Sequence, residues 1–214
     1  MIKGVLFDMD GVLADSEDYI CKAAIIMFAE LGSKVVPDDF RPFVGTGENR
    51  YLGGVAEKYG LKIDIEKAKA RTYEIYTQII RGELNPLPGA REFVRECRDR
   101  GLKLALATSA DRIKMEANLR EINIPEDLFD ALVTGLDVVN KKPHPDIYLK
   151  AAELIGLKPS ECLVVEDAVS GIRAGKSAGC RCLAVSGSFE REQLLEADWI
   201  CDALDKVPEE ALNW

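Results

Sequence analysis

Val5-Leu6-Phe7 closes a short run, Ile2 to Phe7, that is apolar on consecutive rather than alternate positions. That is the pattern of a parallel strand covered on both faces. The period then changes. Tyr19, Ala23, Ile26 and Met27 fall at helical spacing within Ser16 to Ala29, and a second helical pattern runs from Tyr51 to Tyr59. A third aligns Ile65, Ala68, Thr72, Ile75, Tyr76 and Ile79 on one face. Asp15 or Ser16 is placed to cap the first of these helices. No strand pattern separates them, so the chain from the first strand to about residue 84 is expected to be all-helical, ended by the turn-rich Asn85-Pro86-Leu87-Pro88-Gly89. Beyond it helix and strand alternate. A helix carrying Ala90, Phe93, Val94 and Cys97 precedes the strand Leu102 to Ala107; a helix at Ile113 to Glu121 precedes the strand Ala131 to Thr134. Helices at Pro145 to Ile155 and Val169 to Ser177 alternate with strands at Cys162 to Val165, Arg181 to Val185 and Trp199 to Cys201. Repeated units of this kind predict an α/β fold, a Rossmann-like parallel sheet with helices on both faces. Its core spans residues 1–14 and 85–214, and residues 15–84 form a helical insertion.

Composition narrows the function classes. A length of 214 residues suits one large domain or one domain with an insert, and 47% hydrophobic with 30% charged residues describes an ordinary soluble globule. The formal net charge of -9 disfavours a nucleic-acid or anionic-membrane surface, where clustered Lys and Arg would be needed. It leaves room for a small anionic substrate at a local cationic spot. No run approaches transmembrane length, and Asp8 and Asp10 interrupt the first apolar run, so neither a membrane span nor a signal peptide is expected. The six cysteines contain no C-x-x-C; Cys162, Cys180, Cys182 and Cys201 sit in strand-like runs and read as small buried hydrophobes in a reducing, cytoplasmic compartment. The single histidine, His144, removes most His-rich zinc sites. It lies between two prolines and no G-x-S-x-G segment is present, which argues against a serine triad.

Ligands of open parallel sheets bind beyond the carboxyl ends of the strands, so the residues there carry the functional signal. The first strand delivers Asp8 and Asp10, two apart on an extended segment and therefore able to face one ligand, with Gly11 permitting a sharp exit. Leu104 to Ala107 delivers Thr108 and Ser109; the strand at Ala131 leads to Lys141 and Lys142; Cys162 to Val165 delivers Glu166 and Asp167. Each has a plain structural alternative. Asp8 and Asp10 could be solvated turn acids, Thr108 and Ser109 a helix cap, Lys142 a loop charge, and Glu166 and Asp167 first-turn acids facing a helix dipole. Their joint placement on one sheet edge favours a site. Phosphoryl transfer uses each type: Asp8 and Asp167 as hard oxygen ligands for Mg2+, Thr108 as a donor to phosphate, Lys142 as a neutralising charge. Asp8 would attack while Asp10 moves protons.

These segments resemble a known family. Asp8-Met9-Asp10-Gly11-Val12-Leu13 is similar to motif I of the haloacid dehalogenase-like hydrolases, Thr108 to motif II, Lys142 to motif III and Glu166-Asp167 to motif IV. The stretches from Lys142 to Tyr148 and from Glu166 to Ile172 resemble the beta-phosphoglucomutase and phosphoglycolate-phosphatase subgroup. The resemblance implies a helical cap over residues 15–84, an aspartyl-phosphate intermediate on Asp8 and bound Mg2+ at Asp8, Asp10, Glu166 and Asp167. Phosphate would be held by Thr108, Lys142 and the amides of Met9 and Ser109. Dehalogenases lack the second motif I aspartate and the related phosphonate hydrolases carry alanine there, so Asp10 points to phosphate esters. The phosphoglucomutases have a histidine where Ile20 stands and an arginine near Gly47-Glu48, which points away from mutase activity. The segments Val44 to Glu48 and Leu52 to Val55 also resemble the hydrolase-like module of plant quenching-suppressor proteins.

The expectation is thus a Mg2+-dependent phosphatase of a small phosphorylated, sugar-phosphate-like metabolite, its specificity set in the cap by residues including Ser16, Ile20, Thr46 and Glu48. Glu48 reads more simply as a solvated acid at a helix start than as a selector of an amine or second cation. The rival expectations are a sugar phosphomutase and a non-catalytic binding module on the same fold.

Overall fold

A computed structural model describes residues 2–214. Its sheet has six parallel strands in the order β3-β2-β1-β4-β5-β6, with β1 Gly4–Phe7, β2 Lys103–Ala107, β3 Ala131–Val133, β4 Cys162–Glu166, β5 Arg181–Val185 and β6 Trp199–Cys201. The chain moves outward from β1 to β3, then returns to the other side of β1 to lay down β4. That reversal opens a crevice at the carboxyl ends of β1 and β4. Their register pairs Phe7 with Val165, and the Asp8 amide donates to the Val165 carbonyl at 2.9 Å, so Asp8 is level with Glu166.

Consecutive apolar residues face opposite layers, as strand geometry requires. Val5, Phe7, Leu104, Leu106, Leu163 and Val165 pack on one side with Phe93 and Val94 of α4 (Ala90–Asp99) and Met115 and Leu119 of α5 (Arg112–Glu121). Leu6, Ala105, Ala107 and Val164 pack on the other with Ile147, Tyr148 and Ala151 of α6 (Asp146–Leu154) and Ile172 and Ala174 of α7 (Val169–Ala178). Phe7 meets Phe93 and Phe129 edge to face, with ring centres 5.9 and 6.2 Å apart. The expected elements are present, with short differences at their ends. Ile2 and Lys3 precede β1, and the Ile2 amide bonds the Trp214 carbonyl instead. β3 stops before Thr134, whose amide and hydroxyl both turn to the Asp137 carboxylate.

Between β1 and α4 lie three helices, as expected: α1 Glu17–Glu30, α2 Glu48–Lys58 and α3 Ile65–Ile79. Helix α1 packs along α3, and Phe40 bridges Phe28 to Tyr51, at 6.1 and 4.9 Å between ring centres. Helix α2 starts at Glu48, earlier than its apolar pattern suggests, because Gly47 at φ 85 turns the chain into it. The two connections to the rest of the chain run side by side, the Leu87 amide bonding the Leu13 carbonyl at 3.0 Å.

Candidate active site

Asp8, Thr108, Lys142, Glu166 and Asp167, drawn from four separate stretches of chain, line one cavity at the crevice, together with Asp10, Glu17, Glu48 and Lys114. Its volume is about 60 Å³, room for a few waters but not for a sugar. The turn after β1 makes this approach possible. Gly11 sits at φ 76, and a side chain there would run into the Asp167 carboxylate. Gly171 of α7 leaves comparable space for Glu166.

Lys142 is the electrostatic centre. Only 8% exposed, it donates to Asp8 Oδ1 and Glu166 Oε1, both at 2.6 Å, and its peptide bond to Pro143 is cis. Burial works against its charge, but Asp8 and Glu166 outweigh burial and raise its pKa. Glu166 has no idle oxygen: Oε1 also accepts from the Tyr148 hydroxyl at 2.7 Å, and Oε2 accepts from the amides of Asp167 and Ala168 at 3.0 Å. Desolvation pushes Asp8 up to about 7 despite Lys142, with Glu166 and Asp10 adding to the rise. Asp167, also buried, is raised well above the usual carboxylate range by desolvation and by Glu166 and Asp8.

One carboxylate oxygen from each of Asp8, Glu166 and Asp167 falls within 4.8 Å of the others. Three buried acids against one lysine leave a negative excess that a hard divalent cation would relieve, and oxygen donors suit Mg2+. Lys142 and Tyr148 occupy Glu166, so the second oxygen of Asp8 and the Asp167 carboxylate are the donors best placed for an ion.

The two acids of the opening pair part company. Asp10 lines the same cavity, but its Oδ1 accepts from the Ser16 hydroxyl and from Asn118 Nδ2 at 3.2 Å, and its Oδ2 pairs with Lys114 Nζ at 2.9 Å. Ser16, expected as a helix cap, stands at the N-cap of α1 but makes no side-chain cap bond; its hydroxyl donates to Asp10 instead. Thr108 likewise does not cap α5; its hydroxyl oxygen accepts from the Ala110 amide at 3.1 Å and α5 begins after Asp111. Among the described residues, the amides of Met9 and Ser109 reach no protein acceptor.

Glu48 is not solvated: it is 8% exposed, and burial raises its pKa to about 7 although Lys114 pulls the other way. Ile20 is buried and lines the cavity, whereas Thr46 turns its hydroxyl back to the Phe43 carbonyl at 2.6 Å. Sequence reasoning missed Lys114, Asn118 and Tyr148. Lys114 and Asn118 lie four apart on one face of α5 and both are buried, a signal visible only once that face is known to point inward.

Comparison with known proteins gives a consistent pattern. The profile of the haloacid dehalogenase-like hydrolases matches residues 5–185. Suppressor of quenching 1, a chloroplastic protein of Arabidopsis thaliana, is 46% identical over 92% of the chain, which spans only 19% of that protein's length. The phosphorylated carbohydrates phosphatase of Thermotoga maritima is 35% identical over 99% of this chain and 97% of its own. The crystal structure of CbbY from Rhodobacter sphaeroides in complex with phosphate superposes with a TM-score of 0.90, covering 100% of both chains at 28% identity.

Proposed function

We propose, from the premise that this chain belongs to the haloacid dehalogenase-like hydrolase family, that it is a phosphoric monoester hydrolase in which Asp8 is the nucleophile toward a phosphorylated sugar-like metabolite. The observation that carries this reading is the buried constellation of Asp8, Lys142, Glu166 and Asp167 in one cavity at the sheet's reversal point.

Lys142 holds Asp8 against the approaching phosphate and offsets the repulsion between carboxylate and dianion. Glu166, fixed by Tyr148 and two amides, keeps Lys142 aimed at Asp8; it orients the lysine more than it binds anything itself. Asp8 and Asp167, with the Asp10 carbonyl, would hold Mg2+, whose charge would stabilise the transferring phosphoryl group. Thr108 and the free amides of Met9 and Ser109 would cradle its oxygens. Attack by Asp8 on phosphorus breaks the ester bond and forms an aspartyl phosphate. Asp10, swung from its Lys114 contact and carrying a proton taken from solvent, gives that proton to the leaving oxygen and then takes one from the water that cleaves the acyl phosphate, so that it ends the cycle as it began. Helices α1 to α3 act as the cap over residues 15–84, and the buried apolar Ile20 supports hydrolysis over mutase chemistry, since no basic group stands there for a second phosphate.

The test is phosphate release from a panel of sugar phosphates with Mg2+, coupled to acid-stable trapping of the phosphorylated chain. Asp8→Asn is expected to remove both. Turnover by that variant near the wild-type rate would refute the nucleophile assignment.

A further inference from the structure

Glu48, which lines the cavity from the helical side, holds a carboxylate oxygen that no described residue answers. Glu48 Oε2 is buried without a hydrogen-bond partner, while Oε1 of the same group stands 3.8 Å from Lys114 Nζ. An unpaired buried polar atom costs about 1–3 kcal/mol, so one kept at a cavity wall calls for a ligand group that completes it. Lys114, 3% exposed, gives its nearer contact to Asp10. One ammonium thus ties a cap carboxylate to the acid beside the reacting phosphate.

Among the described residues, the same wall offers no unpaired cationic side chain to a second anion. Glu17 adds another acid to it. Of the two lysines lining the cavity, Lys142 is taken by Asp8 and Glu166 and Lys114 by Asp10. Arg50, two residues beyond Glu48, is paired with Glu57 at 2.9 Å and lies over the Phe43 ring, its guanidinium carbon 5.0 Å from the ring centre. A substrate ammonium would meet Lys114 across the same carboxylate and be repelled in a low-dielectric space.

We propose that Glu48 and Lys114 form a recognition subsite in which Glu48 Oε2 accepts a hydrogen bond from an uncharged hydroxyl of the leaving group. The chain then selects polyhydroxy phosphate monoesters and discriminates against esters bearing a second phosphate, a carboxylate or an amine. This rests on the phosphatase reading above. Because the cavity is too small for a sugar, the contact forms as the cap settles over a bound substrate.

The test compares sorbitol phosphate, fructose bisphosphate and glucosamine phosphate, with p-nitrophenyl phosphate as a reporter of the chemistry alone, in the wild type and in Glu48→Gln and Glu48→Arg. Wild-type kcat/KM is expected to favour sorbitol phosphate over the bisphosphate by about a hundredfold. Glu48→Gln, which replaces an unpaired buried carboxylate by an amide of equal size, is expected to melt at or above the wild-type temperature. It should lower kcat/KM for sorbitol phosphate by about tenfold to a hundredfold, the worth of one charge-assisted hydrogen bond. Glu48→Arg should shift preference toward the bisphosphate. Equal or better wild-type turnover of the bisphosphate or the amino sugar phosphate would overturn the subsite, as would unchanged selectivity in Glu48→Gln. Failure of the wild type to hydrolyse p-nitrophenyl phosphate or any of the esters would instead overturn the phosphatase reading.

Discussion

Lys142 stands 2.6 Å from both Asp8 and Glu166, and the stability of the site depends on that single charge. Removing one partner of a buried ion pair typically costs about 3–5 kcal/mol, because the remaining charge has no water to turn to. Lys142→Met is therefore expected to abolish activity and to lower unfolding stability by about that amount near pH 8. Without the lysine, the carboxyl of Asp8, already raised to about 7 by burial, rises further. A carboxyl raised on folding stays protonated in the fold where the unfolded chain ionises it, so stability falls as pH rises. The deficit should shrink on acidification from pH 8 to pH 5, measurable by denaturant titration at each pH; a deficit independent of pH would refute the account. Asp8, Thr108, Glu166 and Asp167 were legible in sequence because a strand end fixes where a residue goes, whereas Lys142, in the loop well beyond β3, was legible through its resemblance to a family motif. Tyr148 was not, because a tyrosine on an apolar helix face looks like core until Glu166 is found against its hydroxyl.

Helix and strand positions were legible from hydrophobic period, and the differences arise where backbone geometry or a side-chain bond intervenes, as at Gly47 before α2 and Thr134 after β3. Ser16 keeps its place at a helix start but bonds Asp10, six residues back, with its side chain. Asp130 shows how such a residue joins elements. Just ahead of β3, its carboxylate accepts from Arg98 of α4 at 2.6 Å, from Lys103 of β2 at 3.0 Å and from the Leu104 amide at 2.9 Å. Burial alone would raise its pKa, but the bonds from Arg98, Leu104 and Lys103 outweigh burial and bring it to about 2. A carboxyl depressed on folding adds stability that is present above its unfolded value and is lost as pH falls toward the folded one. Asp130→Asn should cost about 1–2 kcal/mol at pH 7, less than the full shift because water and salt reach the group. The gap between variant and wild type should close between pH 4 and pH 2. A constant gap over that range would show that shape, not charge, holds the three elements together.

At the scale of the whole chain, the phosphatase reading together with the small cavity and the paired connections at Leu13 and Leu87 predicts that the helical layer lifts to admit substrate. No helix of the described residues is long and apolar enough to cross a membrane. The sequence's rhythm foretold an all-helical stretch inside an α/β frame, but not the closeness of the two, which depends on long-range contacts with no local signature. The loop before α2 lands directly on the sheet side: a side-chain carbon added at Gly45 would lie 3.5 Å from the Ser170 hydroxyl, and one at Gly47 3.7 Å from the Ser109 carbonyl. A disulfide needs its β-carbons about 3.5–4.5 Å apart; the 3.5 Å from a Gly45 β-carbon ends on the Ser170 hydroxyl oxygen, one bond beyond that residue's own β-carbon, so the pair Gly45→Cys with Ser170→Cys is close enough to test for bridging. Gly45 is at φ 74, and a cysteine there costs about 1 kcal/mol of strain, small beside a bond that closes so long a loop. The oxidised double variant is expected to lose most of its turnover of sugar phosphates, because a locked lid denies substrate entry and product release, and to regain it on reduction. The wild type, whose cysteines are buried apart from the half-buried Cys21, serves as the control under the same oxidant. If the bridge forms, as shown by thiol counting, and turnover is undiminished, then substrate reaches Asp8 without the helical layer lifting.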